Sequence, residues 1–188
     1  ALVEGGELGE VREVVTRFDR FEPQPRDRWR ENEGPGAGLW YDLGPHLIDQ
    51  MLCLFGRPTQ VSADLAGLRD GARSDDWAQV LLAWPQRRAT LHCTRLSARP
   101  AARFELHGTR GSAHCEGLDV QEDQLKAGLR PGQDGWGVDA RPVWVSPGAW
   151  PPAAPVARPR RAGDWGAYYR GISEAMRAGG PVPVPAAQ

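Results

Sequence analysis

The stretch Trp77-Ala-Gln-Val-Leu-Leu-Ala-Trp84, Pro85-Gln-Arg-Arg88 and Ala89-Thr-Leu-His-Cys-Thr-Arg-Leu96 decides the fold class. Its first and last parts are apolar and rich in strand-forming residues, and the residues between them are turn material. A parallel crossover needs a dozen or more residues, whereas this connection is far shorter. The stretch therefore predicts two antiparallel neighbouring strands.

Runs of the same character lie on both sides of this pair. Strands are predicted over residues 10–18, 59–68, 103–107, 112–116 and 142–145. Turn residues separate successive runs, as in Gly108-Thr-Arg-Gly111. Because most of these connections are short, the pattern predicts an antiparallel meander.

The boundaries of one helix are marked by proline and glycine. Gly44 and Pro45 open an apolar stretch that stops at Gly56, with Pro58 just beyond. Proline at the first helical position and glycine after the last are typical helix boundaries. The apolar residues between them predict that one side of this helix is buried.

A second helix is predicted over residues 164–178, before Gly179 and Gly180. Between the strands and this helix, residues 118–163 are dense in glycine and proline and predict a long irregular excursion. The whole pattern predicts one domain, residues 1–188, of the α+β class. Its core would be a largely antiparallel open sheet with helices on one face.

Composition excludes several classes of function. Lys and Arg number 23 against 24 Asp and Glu, so there is no basic face of the kind that binds nucleic acid. The one dense basic spot, residues 158–161, lies among prolines and is interpreted as a solvated loop. No apolar run approaches the ~20 residues of a membrane-spanning helix. Three widely spaced cysteines without a C-x-x-C pair indicate reduced thiols and a cytoplasmic protein.

Asp42, His46 and Asp49 form the candidate site. A histidine can exchange a proton near neutral pH, and a nearby carboxylate can orient its ring, so the group suits acid–base chemistry on a hydroxyl. Two other interpretations stay open at this point. Asp42 could simply cap the helix beside a structural histidine, or the three side chains could bind a metal ion.

Gly36-Ala-Gly-Leu-Trp-Tyr-Asp-Leu-Gly-Pro-His-Leu-Ile-Asp49 resembles the substrate-site motif of the glucose-fructose oxidoreductase, inositol dehydrogenase and rhizopine-catabolism (Gfo/Idh/MocA) family. Three further stretches resemble parts of that family's C-terminal domain. They are Gly9-Glu-Val-Arg-Glu-Val14, Arg28-Trp-Arg30 and Phe104-Glu-Leu-His-Gly-Thr-Arg-Gly-Ser112. The resemblance covers nearly the whole chain.

The resemblance implies an oxidoreductase that moves hydride between a sugar or polyol and NAD or NADP. Asp42 and His46 would be catalytic, with Asp49 supporting them. Arg28 and Trp29 would bind substrate from their loop. A surface role is an equal alternative for Arg28, and Trp29 could simply cover the start of the helix. Tyr168 would stack on the sugar, or else help anchor its helix to the sheet.

Two features of the family are missing from this sequence. The chain has no Glu-Lys-Pro motif, and Lys126 is its one lysine. It also has no G-x-G-x-x-G after a strand, so no Rossmann domain and no cofactor-binding residues are expected in it. We therefore interpret the chain as the substrate-side half of a larger enzyme, inactive alone and with no cofactor bound to it.

A non-catalytic role is the alternative. Sheets of this family pair face to face, so the chain could be a ligand-binding or homodimerisation module. The solvent-facing residues of the strands within residues 59–96 would then be unusually apolar, and Trp77 and Trp84 are the candidates for that face.

Overall fold

The structure is a computed structural model that describes residues 2–99 and 101–185. These residues form eight strands and three helices. In chain order they are β1 (Val11–Asp19), α1 (Leu39–Phe55), β2 (Gln60–Ala66), β3 (Trp77–Trp84), β4 (Arg87–Thr94), β5 (Ala102–Gly108), β6 (Gly111–Glu116), α2 (Gln121–Lys126), β7 (Val143–Pro147), β8 (Val156–Arg158) and α3 (Gly166–Ala178). The predicted strands are confirmed to within a few residues. The helix α2 and the strand β8 lie within residues 118–163, where the sequence pattern predicts an irregular excursion.

All eight strands belong to one sheet, in the order β2-β3-β4-β1-β5-β6-β7-β8. Every neighbouring pair is antiparallel except β1 and β4, which run parallel. The open, mostly antiparallel sheet is therefore confirmed, but a simple meander is wrong, because β1 lies between β4 and β5. Short connections reveal only neighbours in the chain, and β1 pairs with strands more than 70 residues away.

The helix α1 covers one face of the sheet. It packs on β1, β3 and β4, and Leu43, Leu47 and Met51 point from it into the core. Alternate strand residues meet them, and these are Val14, Ala78, Val80, Leu82, Ala89, Leu91 and Cys93. The core thus fixes the orientation of α1, so that the side opposite Leu43 and Leu47 faces outward.

The described residues fall into two compact units. The first holds the whole sheet and α1, and comprises the described residues up to Gly117 together with Val143–Arg158. The second holds α2 and α3, and comprises Leu118–Pro142 and the described residues from Pro159 onward.

The second unit is organised around Asp139. Its carboxylate accepts hydrogen bonds from Arg141 Nε (2.9 Å) and Arg160 Nη1 (2.8 Å). The Arg141 hydrogen bonds and the Arg160 charge outweigh desolvation and lower the pKa of Asp139 to about 2. The Trp136 and Trp165 rings meet edge to face at 6.4 Å. The helix α3 has no buried residue of its own.

The sheet face opposite α1 mixes apolar side chains, such as Leu81 and Trp144, with charges that are paired within the chain. Arg17 pairs with Glu105 across β1 and β5, and His92 Nδ1 lies 2.8 Å from Asp19 Oδ1. Trp77 lies on this face, edge-on to His92 at 5.9 Å. Trp84 does not, because strand alternation turns it to the α1 side, where it is buried against Phe55.

Candidate functional site

The helix that carries the site begins at Leu39, six residues before the predicted start at Pro45. The backbone N–H of Leu39 donates to the Asp75 carbonyl (2.8 Å), and that of Trp40 donates to Asp75 Oδ2 (2.7 Å). Asp75 thus caps the helix from the loop between β2 and β3. Gly38 precedes it with a φ of 105°, and a Cβ there would collide with the Asp75 carboxylate.

Asp42 is therefore a residue of the first helical turn, and its N–H donates to the Gly38 carbonyl at 3.2 Å. The interpretation of Asp42 as the helix cap is wrong, because Asp75 has that role. Pro45 lies inside the helix, where it leaves the Tyr41 carbonyl without its usual intrahelical partner. Tertiary packing thus extends the helix beyond the start that Pro45 indicates locally.

One face of α1 carries Asp42, His46 and Asp49. His46 follows Asp42 by four residues, and Asp49 follows His46 by three. Neighbours at such spacing lie about 5–6 Å apart at Cβ, and the whole set spans about 10 Å along the axis. His46 and Asp49 are exposed and Asp42 is half-buried. The three side chains thus form a row along the helix. A small ligand can contact two neighbouring side chains of this row at once.

Two arginines hold Asp42. Arg30 Nε lies 3.0 Å from Asp42 Oδ1, and Arg95 Nη2 lies 3.9 Å from Oδ2. The Arg30 guanidinium also stacks 4.5 Å above the Trp29 ring. Since a carboxylate has about four acceptor positions, Asp42 can still accept a hydrogen bond from a ligand hydroxyl.

His46 stands beside Phe18, the residue of β1 that faces α1 near the end of the strand. The ring centroids are 6.2 Å apart and tilted by 41°. One turn further along the helix, Cys53 donates a weak hydrogen bond to Asp49 (3.9 Å). His46 is thus an exposed imidazole that lies against an aromatic ring of the sheet.

Arg28 does not pair with Asp42. Its Nε lies 2.6 Å from Glu31 Oε1, and its Nη2 lies 3.7 Å from Glu22 Oε2. Arg28 therefore stabilises its own loop, and a substrate could reach it only in competition with these carboxylates. Trp29 is 61% exposed and open to a ligand. Tyr168 lies on α3 in the second unit, edge-on to Tyr169, and its role stays a prediction.

A buried arginine that the sequence did not single out holds the loop in place. Arg69 is 7% exposed and its Nε lies 2.8 Å from Asp76. Its Nη2 lies 2.8 Å from Glu31, and its Nη1 donates to the Glu22 carbonyl at 2.8 Å. Because Glu22 and Glu31 bracket residues 23–30, this one guanidinium clamps the loop that presents Arg30 to Asp42.

The electrostatic environment of Glu31 follows from this clamp. Burial alone would raise its pKa, but hydrogen bonds from the Arg26 N–H, Arg69 and Arg28 outweigh burial and lower the pKa to about 2. The loop is therefore held by a carboxylate that stays ionised through the whole physiological range.

The glycine-rich loop before α1 does not form a dinucleotide cradle. A pyrophosphate binds at a helix N-terminus through free backbone N–H groups. Here the N–H groups of Leu39 and Trp40 are already bonded to Asp75, whose negative charge would repel a phosphate. Likewise, within residues 2–99 and 101–185 no group of three His, Cys, Asp or Glu side chains has the arrangement of a metal site.

Lys126, the lysine of the chain, forms an ion pair of 2.6 Å with Glu122 on α2. That hydrogen bond raises its pKa, and the residue belongs to the second unit. No helix in the described part of the chain is long and apolar enough to cross a membrane.

The chain thus combines an open, mostly antiparallel sheet with one long helix that carries an aspartate–histidine row. A family model described as the GFO/IDH/MocA C-terminal domain matches residues 1–114. The chain belongs to this family.

Individual relatives agree with this assignment. The chain is 46% identical to the uncharacterized oxidoreductase YdgJ of Escherichia coli, covering 100% of this chain and 54% of that protein. It is 33% identical to the scyllo-inositol 2-dehydrogenase (NADP(+)) IolW of Bacillus subtilis, covering 98% and 52%. The chain therefore spans about half the length of the curated relatives it matches.

Solved structures show the same architecture. A protein from Klebsiella pneumoniae has a TM-score of 0.88 at 43% identity, covering 98% of this chain and 51% of that one. An oxidoreductase from Bacillus cereus has a TM-score of 0.80 at 30% identity, covering 98% and 55%.

Proposed function

We propose that this chain is the substrate-holding half of an NAD- or NADP-dependent oxidoreductase that acts on a hydroxyl group of a sugar or polyol. The observation that carries the proposal is the row on α1, where exposed His46 lies one turn from Asp42, itself held by Arg30 and Arg95. The name of the Bacillus subtilis relative, a scyllo-inositol 2-dehydrogenase, supports a polyol substrate and NADP. Reduced thiols support a cytoplasmic location.

Each side chain has a distinct task in this proposal. His46 accepts the proton of the reacting hydroxyl, because it is the accessible group of the row that can take a proton near neutral pH. Asp42 accepts a hydrogen bond from a neighbouring hydroxyl and so orients the ring of the substrate. Asp49, one turn beyond His46, binds a further hydroxyl. The nicotinamide nucleotide, held outside this chain, would accept the hydride.

The chain alone should not turn over substrate. Its glycine-rich loop is closed to a pyrophosphate by Asp75, so we propose that this loop does not hold the hydride acceptor. The competing proposal, a non-catalytic ligand-binding module, predicts polyol binding without turnover in any context.

A fusion protein separates these two proposals. The segment of YdgJ that this chain does not match would be joined to residues 1–188 and assayed with NADP and scyllo-inositol. We expect turnover by the fusion, and a loss of about 10²- to 10⁴-fold in kcat for His46→Gln, the usual magnitude of acid–base help. His114→Gln is the matched control, since His114 lies on β6 on the opposite sheet face. Equal activity of His46→Gln and His114→Gln would contradict the role of His46.

We also propose that a second copy of the chain docks on the sheet face opposite α1. Leu81 and Trp144 are more than a third exposed there, and the neighbouring charges, Arg17 with Glu105 and His92 with Asp19, are already paired within the chain. Burying neutralised pairs costs less than burying single charges. Sedimentation should show a dimer, and Leu81→Arg should dissociate it. A wild-type monomer at high concentration would contradict this docking.

A further inference from the structure

Phe18 is surrounded by positive charge. The guanidinium of Arg20 lies 5.3 Å from the centroid of its ring, and that of Arg103 lies 5.0 Å from it. His46 approaches the same ring at 6.2 Å. Three groups that carry or can acquire a positive charge therefore meet around one aromatic side chain, next to the row on α1.

The nearby carboxylates are already engaged elsewhere. Asp42 is held by Arg30 and Arg95. Asp19, adjacent to Phe18 in sequence, points to the opposite sheet face, where its Oδ1 lies 2.8 Å from His92 Nδ1. Within the described ranges, neither Arg20 nor Arg103 forms an ion pair. The Asp19 carboxylate therefore acts on Arg103 only through its charge, without a direct ion pair.

Among the described residues, this lack of a direct ion pair is clearest at Arg103, because it is 8% exposed. Its two hydrogen bonds go to neutral acceptors, from Nη1 to Thr16 Oγ1 (2.6 Å) and from Nη2 to Gln50 Oε1 (3.2 Å). Buried charges in proteins are normally paired, since burial of a single charge is costly. The Phe18 and Phe104 rings offset only part of that cost.

Arg20 is the exposed member of the group. Its backbone N–H donates to the Thr94 carbonyl at 2.9 Å, which fixes it at the end of β1. This bond places the Arg20 backbone beside the end of β4, next to Arg95, and the charge of Arg20 is one of the causes that lower the pKa of Arg95, after burial. Arg20 therefore belongs to the Phe18 cluster and follows the strand beside Arg95, the residue that pairs with Asp42.

We infer that Arg20 and Arg103 form an anion subsite, so that the preferred substrate is a sugar or polyol bearing a carboxylate or phosphate group. This inference rests on the proposed function, since it places the anionic group beside the hydroxyl that His46 would deprotonate. Guanidinium groups bind carboxylates and phosphates through paired, charge-assisted hydrogen bonds. The incoming anion supplies the direct ion-pair partner that neither arginine has among the described residues.

Binding of three probes to the full chain tests the subsite. D-Glucitol is the neutral probe, D-gluconate replaces its terminal carbinol with a carboxylate, and D-glucitol 6-phosphate carries a phosphate. We expect gluconate, the phosphate or both to bind roughly tenfold more tightly than glucitol at low ionic strength, the usual advantage of a charged hydrogen bond. The anion that shows the preference identifies the group that the subsite accepts.

Two variants decide whether the preference arises at this site. Arg20→Gln should bring the anionic probes to within about twofold of glucitol, leaving glucitol binding unchanged. Arg57→Gln removes an exposed arginine beyond the other end of α1 and should keep the preference. The subsite alone would be overturned if Arg20→Gln and Arg57→Gln lost the preference for anionic probes to the same extent. Equal binding of all three probes to the wild type would overturn it as well. Failure of every probe to bind would overturn the proposed function as well.

Discussion

The backbone N–H of Trp40 donates a 2.7 Å hydrogen bond to the side-chain carboxylate of Asp75, a residue 35 positions further along the chain. The helix that carries Asp42 and His46 is therefore capped by the loop between β2 and β3. This arrangement ties the position of the candidate site to the fold of the sheet, and it leads to a measurable prediction.

Asp75→Ala should lower the free energy of unfolding by about 0.5–2 kcal/mol, the usual cost of removing a helix cap. Asp70→Ala in the same loop is the matched control and should have little effect, because Asp70 is exposed and the N–H groups of Leu39 and Trp40 donate to Asp75 instead. Urea denaturation of both variants measures the difference. Equal stability of the two variants would contradict the capping role.

Gly44 leaves room for the ring of Trp40, which lies one turn earlier on the same helix. A Cβ at position 44 would come within 2.7 Å of that ring. Gly44→Ala should therefore destabilise the chain by about 1–3 kcal/mol through overpacking, although alanine is the better helix former. In a Trp40→Ala background, Gly44→Ala should instead raise the free energy of unfolding by about 1 kcal/mol, because alanine is the better helix former. A double-mutant cycle by urea denaturation measures both values, and the absence of a reversal would refute the steric argument.

The sequence allowed the sheet, its strands and the helix face to be predicted, because these depend on local periodicity. Alternation along Trp77–Trp84 is visible in the chain itself, as is the spacing of Asp42, His46 and Asp49. The start of α1 was misjudged because Pro45 is a strong local signal, whereas the real cap, Asp75, is distant in sequence.

Three other features could not be found from local pattern. The parallel pairing of β1 with β4 joins residues more than 70 positions apart, such as Val14 and Ala89. Arg69 looked like an ordinary loop arginine, and only the folded loop brings Glu31 and Asp76 to it. The cluster around Phe18 likewise depends on β1 and β5 becoming neighbours. Long-range pairing, rather than residue type, creates each of them.

Thiol chemistry should distinguish two of the cysteines. Burial raises the pKa of Cys93 to about 12, so almost none of it is the reactive thiolate at pH 8. Cys53 is exposed on α1. Brief treatment of the folded chain with a maleimide should therefore label Cys53 and spare Cys93, as read by peptide mass spectrometry. Labelling in denaturant is the control and should modify both. Rapid labelling of Cys93 in the folded chain would contradict its placement in the core.

The last prediction concerns the ion pair between Arg69 and Glu31, which can be tested by mutation and by a change of pH. Arg69→Met should lower the free energy of unfolding at pH 7 by about 3–5 kcal/mol, because it leaves the buried Asp76 without Arg69 and the buried Glu31 with Arg28 alone. Arg69→Lys keeps a positive charge and should cost less, although lysine cannot donate in three directions from one plane.

The loss of unfolding free energy caused by Arg69→Met should also be smaller in acid. The pKa of Glu31 is lowered from 4.5 to about 2 in the folded chain, so its contribution to stability is present above pH 4.5 and is lost as the pH falls toward 2. The difference between wild type and Arg69→Met should therefore narrow across that window. Urea denaturation between pH 2 and pH 7 measures it, and Glu31→Gln is the control, since it removes the titrating group. A difference that stayed constant with pH in the wild-type background would show that Arg69 does not hold Glu31 in its ionised form.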